Sequence, residues 1–177
     1  MLSELGNYME RIQDLREQVI KLIAGLPQEA LDWRPLPALE PEAGAEEGES
    51  TTNSLAVLAA HIAGAEHFWI GEVVGGLPPS RDRAAEFVVQ NLDAAELVAQ
   101  LEQTAAETRK VLSGLQPADL DETREVEGHT FPVRWCILHI IDHTALHLGH
   151  MQLTYQLWMG GRGVRSPFWH ERLRTGL

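Results

Sequence analysis

The stretch Trp135–Gly161, WCILHIIDHTALHLGHMQLTYQLWMGG, carries four histidines in twelve residues, His139, His143, His147 and His150, inside an otherwise apolar run. At about 100° and 1.5 Å per residue of α-helix, His143 and His147 lie about 40° apart and one turn apart along the axis. The same arithmetic sets Cys136, His139, His150 and Thr154 within about 40° of His143, so a helix here presents one narrow polar ridge between apolar flanks such as Ile140, Ile141, Leu146 and Leu148. If the ridge faces a core it must be satisfied, because an unpaired buried polar group costs on the order of 1–3 kcal/mol.

The remaining chain supplies partners for such a helix. Leu5, Met9, Ile12, Leu15, Val19, Leu22 and Ile23 recur at spacings of three and four, which predicts a first helix ending near Gly25 to Pro27. Residues Pro35–Asn53 hold three prolines, two glycines and five glutamates with few large apolar groups, and read as a flexible acidic loop. Asn53 or Ser54 can cap a second helix from Leu55 to about Val74, before Gly75, Gly76, Pro78 and Pro79. A third is expected from about Asp93 to Ser113, with Leu97, Leu101, Thr104, Thr108 and Val111 on one face. Alternation around Gly128 in REVEGHTFPV, Arg124–Val133, suggests a short β-hairpin before the last long helix, Val133 to Trp158 or Met159. Four long amphipathic helices predict an all-α, four-helix bundle, and 177 residues suit one domain. No internal repeat is visible.

Charge narrows the partners. A formal net charge of −12 opposes binding to nucleic acid or to anionic membranes, and Arg162, Arg165, Arg172 and Arg174 make only a thin basic patch near the C-terminus. No run is apolar enough to span a bilayer or to form a signal-peptide core, so a cytoplasmic protein is expected. The single cysteine, Cys136, has no partner for an internal disulfide and reads as a small buried thiol, about 10 Å along the helix from His143.

Two imidazoles at i and i+4 can reach one cation at about 2.0–2.1 Å, and a facing helix can supply a third ligand. In SLAVLAAHIAGAEHFW that candidate is His61, which shares a face with Leu58, Ala65 and Phe68. His67 sits about 120° round from His61 and belongs nearer the surface. His129 and His170 fall in a loop and a tail, Asp142 points about 100° away from His143, and Glu66 lies off the His61 face.

These segments, GLPQEALDWRP, NSLAVLAAHIAGAEHFW and RWCILHIIDHTALHLGHMQLTYQLWMGG, resemble the DinB-like (DinB/YfiT) superfamily of metal-binding four-helix bundles over nearly the whole chain. The resemblance implies a metal site of His61, His143 and His147, the last two as HxxxH. It also resembles an actinobacterial branch through Trp135, His139, His143, His147, Gly149 and His150. Relatives include S-transferases and isomerases that use low-molecular-weight thiols such as mycothiol, bacillithiol or glutathione. The implied function is therefore a metal-dependent thiol S-transferase or related enzyme, holding a divalent ion, zinc or nickel first, and joining a small-molecule thiol to an electrophilic substrate. His139 or His150 would orient a ligand or move a proton, since imidazole titrates near neutrality. The alternatives are a metal-dependent hydrolase, which would need a carboxylate base that the motif does not show, and a non-catalytic metal-stabilised bundle or sensor. A homodimer is expected from the resemblance and from aromatic groups such as Trp158 and Trp169.

Overall fold

The computed structural model describes residues 3–36 and 52–163. The centre of the expected acidic loop lies outside these residues, as do Arg165, Trp169, His170, Arg172 and Arg174. Four long helices form the bundle: α1, Glu4–Ile23; α3, Leu55–Glu66, which continues as a π-helix over His67–Val74; α5, Ala94–Gly114; and α6, Val133–Trp158. Short helices α2, Gln28–Asp32, and α4, Arg83–Phe87, lie in the connections, and a 3-10 turn, Pro117–Asp121, leads into a hairpin.

Local chemistry sets these boundaries. Ser3, Ser54, Asp82 and Asp93 each accept a first-turn amide hydrogen with a side-chain oxygen, and Asp93 forms a reciprocal capping box with Glu96. The hairpin pairs β1, Thr123–Val126, with β2, His129–Pro132, in antiparallel register. Its two turn residues, Glu127 and Gly128, both have positive φ, 52° and 80°, the backbone that matches the right-handed twist of a two-residue hairpin. On α5 the buried stripe ends on Leu112, with Val111 only half-buried, one position on from the expected residue.

In cross-section α1 and α3 each pack between α5 and α6, so α1 and α3 occupy opposite corners. The apolar core has two parts, one built on Leu15, Val19, Leu55, Ile62, Leu101 and Met151, the other on Ile12, Ile70, Leu112, Cys136, Ile137 and Ile140. On each long helix a buried polar residue falls at the changeover: Arg16, Glu66, Thr108 and Thr144. Arg16 reaches across the bundle to Glu66, its Nε donating to Oε2 at 3.3 Å and its Nη2 to Oε1. Thr108 donates to the same Oε1 at 2.5 Å. This network ties α1, α3 and α5 together at the point where α3 changes from α to π winding.

Removing one member strands a buried charge, a loss of about 3–5 kcal/mol, whereas an apolar pair of similar volume is roughly neutral. Arg16→Met should therefore lower Tm by about 6–20 °C, at about 2–4 °C per kcal/mol for a chain of this size. Arg16→Met combined with Glu66→Leu should recover most of the loss in thermal denaturation. An unchanged Tm in the single variant would show that the pair does not hold the helices.

Candidate metal centre

The structure brings His61, His143 and His147 together. One ring nitrogen from each lies within 4.8 Å of the others, and no other group of three or more such ligands meets that spacing among the described residues. His61 is 6% exposed, while His143 and His147 are half-buried and His150 is exposed. Of the ridge, Cys136 and Thr154 are buried, but the α6 histidines are not sealed in the core. The ridge runs along the α3–α6 seam, because Ile137, Ile140, Leu148 and Met151 of α6 claim the interior.

His61 Nε2 and His143 Nε2 face each other at 3.0 Å. The other His61 nitrogen, Nδ1, lies 2.8 Å from Glu86 Oε2. In the tautomer whose Nδ1–H donates to that carboxylate, Nε2 turns its lone pair toward His143. His143 Nδ1 and His147 Nδ1 are buried and have no hydrogen-bond partner among the described residues. Three clustered imidazoles, two of them with an orphaned nitrogen, suit a cation better than they suit one another, and such a donor set accepts zinc, nickel, copper or iron.

Burial acts first on both α6 histidines, and the neighbouring imidazoles add to it. His143 is pushed down to about 2, by burial and then by charge on His147, His61, His139 and Arg81. His147 is pushed down to about 4, by burial and then by His61 and His150. Both rings are thus neutral at pH 7, the form that ligates a metal.

Glu86 is the site residue that sequence reasoning missed. Burial pushes its carboxyl up, but hydrogen bonds from Arg81 and His61 and their charges outweigh this and hold it below the ordinary value. Arg81 grips it as a fork, Nε to Oε1 at 2.6 Å and Nη2 to Oε2 at 2.9 Å. The carboxylate reaches α3 through the gap at Gly64, where a Cβ would overlap it. Arg81 is fixed in turn by Glu72 on the π-helix, whose Oε1 accepts the backbone N–H groups of Ser80 and Arg81 at 2.6 and 2.9 Å. The available signal was a weak one: Asp82 capping a five-residue helix that carries Glu86 on its inner side.

The other expected residues fall as follows. His139 stacks on Trp135 at 4.9 Å and meets Trp69 edge-on at 5.2 Å, and its ring is 5.8 Å from that of His143. Burial lowers its pKa, partly opposed by Asp142. The His150 ring is 5.4 Å from that of His147. His67 stands apart, bound to Glu107 at 2.6 Å and Ser80 at 2.9 Å. Glu66 is held by Arg16 and Thr108, and Cys136 is a buried thiol pushed up to about 11, mainly by burial. A cavity of about 780 Å³ opens against His61, His147 and His150, while a smaller one of about 370 Å³ between the π-helix and the hairpin touches none of the cluster.

A pH dependence follows for the metal-free protein. The unfolded chain binds protons on His143 and His147 below about pH 6.5, and the folded chain resists until about 2 and 4. Stability is complete above pH 6.5 and is lost as pH falls toward 4. Tm of chelator-treated protein should drop steadily between pH 7 and 5, and a His143→Phe/His147→Phe variant should flatten that slope. Equal slopes would show that the two rings are not held neutral by the fold.

Residues 11–151 match the family model of the DinB superfamily. The fold is similar to a crystal structure of a conserved protein from Enterococcus faecalis, with 16% identity, TM-score 0.67, and 90% of this chain and 99% of that chain covered. It is also similar to a DinB-like protein from Bacillus cereus, with 18% identity, TM-score 0.66 and coverage of 89% and 95%. For a DinB-like protein from Bacillus subtilis the values are 18%, 0.62, and 92% and 96%. These likenesses concern the fold alone. No curated protein matches the chain.

Proposed function

The chain belongs to the DinB superfamily, and from that premise we propose that it is a metal-dependent enzyme acting with a low-molecular-weight thiol, an S-transferase or a close relative, with His61, His143 and His147 holding one divalent ion. The observation that carries this reading is the convergence of three imidazole nitrogens beside an open cavity. Three neutral protein ligands leave a coordination position for a small molecule, where a structural site fills all four with protein groups. When bound, the ion supplies Lewis acidity that lowers the pKa of a thiol and makes it nucleophilic near neutrality, with no cysteine from the protein.

The chain's own side chains perform the rest. Glu86, held by Arg81, fixes the orientation and tautomer of His61. His150, on the exposed side of His147 and lining the cavity, moves a proton between the site and water. His139, clamped by Trp135 and Trp69, sets the rotamer of His143 from the neighbouring turn and is the second candidate for proton transfer. Hydrolysis is less well served, since Glu66 and Glu86 are both engaged in ion pairs. The exposed apolar side chains of α6, among them Trp135, Leu138 and Leu146, support a homodimer.

Elemental analysis of purified protein tests the site: about one zinc or nickel per chain is expected, lost in the alanine variants of His61, His143 and His147. Glu86→Gln should retain the metal with affinity about 10–100-fold weaker. Metal-loaded protein should then accelerate consumption of a free thiol by an electrophile, and His147→Ala should abolish this. Product formed equally without thiol would point to hydrolysis, and full metal occupancy without any turnover to a non-catalytic bundle.

A further inference from the structure

The cavity against the histidines has walls of a particular kind. Its volume of about 780 Å³ lies within the roughly 300–1,000 Å³ of small-molecule sites. Most of its surface is apolar, with Leu36, Leu58, Phe87, Leu153 and Leu157 on the walls, Thr52, Asn53 and Thr154 between them, and His61, His147 and His150 at one side. Phe87 packs on the His61 ring at 4.9 Å, so the apolar wall runs directly up to the candidate ligands. Arg83 is the one charged side chain on the wall among the described residues, its guanidinium 5.2 Å from the Phe87 ring centre.

We infer that this chamber receives the apolar body of a small molecule, an aliphatic or aryl compound, whose reactive atom lies toward His61 and His147. The inference rests on the proposed function for its chemical sense: the molecule is then the electrophile and not the thiol. A peptide-like or sugar-like thiol carries more hydrogen-bonding groups than Thr52, Asn53 and Thr154 can meet, and each one buried without a partner costs about 1–3 kcal/mol. An apolar body gains from the leucine and phenylalanine walls.

The chamber's preference is read by isothermal titration of the full chain with octanoate, 1-octanol and glucose, with zinc content measured on the same samples. Octanoate and 1-octanol should bind saturably at one site, and glucose at least tenfold more weakly. Leu153→Glu, at a position already 56% exposed, should weaken octanoate at least tenfold with zinc content and Tm unchanged. Leu157→Glu is the second wall variant should the first not fold. Stoichiometric zinc without saturable octanoate or octanol binding, or binding equal in wild type and the wall variants, would overturn the inference while the metal reading stands. Saturable, wall-dependent binding by a protein that takes up no zinc would uphold the chamber and overturn the metal-dependent function.

Discussion

Every residue of α3 except Gly64 is buried, and that enclosure governs how the polar groups of this protein are arranged. A helix surrounded on nearly all sides cannot turn a charged or hydrogen-bonding side chain to water, so each one must find its partner inside. Glu66 finds Arg16 from the opposite corner of the bundle and Thr108 from α5. His61 finds Glu86 through the opening at Gly64. One of these partnerships joins three helices across the core, and the other leaves a single imidazole nitrogen facing α6.

The two are linked through the π-wound continuation of α3. Past Glu66 the ladder bonds run i to i+5, as in Gly75 N–H to Ile70 O at 2.9 Å. That segment carries His67 to Glu107 and Ser80, and Glu72 to the backbone of Ser80 and Arg81. The connection to α4 is thereby held in place, with Arg81 forked onto Glu86 and Glu86 onto His61. A side chain on the π-helix thus bears on the orientation of a candidate ligand on the α-helix before it, without touching that ligand. Ligands on rigid helices, oriented by a carboxylate that is itself fixed, form a preorganised site.

The site is open because α6 serves two surroundings at once. Its Ile137, Ile140, Leu148 and Met151 face the core, while His143 and His147 look along the seam with α3 and Leu146 and Leu153 face outward. The half-buried position is enough to keep both imidazoles neutral while leaving a route for a small molecule from the cavity. A site sealed in the core would satisfy a structural ion and admit nothing else.

Local features of the chain determined a good deal by themselves. The three- and four-residue spacing marks α1 and α5, the caps Ser54 and Asp93 mark the starts of α3 and α5, and the glycine at 128 marks the hairpin. HxxxH on α6 brings His143 and His147 onto one face by helix geometry alone, and the apolar face of the second helix singles out His61. Other features depend on contacts remote in sequence, which periodicity does not record. The buried residues of the π-wound segment, Ile70, Gly71 and Val74, have a spacing that an α-helix would also give over so few turns, so nothing in HFWIGEVV separates the two windings. Glu86 sits on a helix too short for a period to show, and its role arises only when α4 docks against α3, 25 residues from His61. The direction of the histidine ridge was likewise settled by competition: α6 has more apolar side chains than one core can bury, and the tertiary packing chose which face went inside.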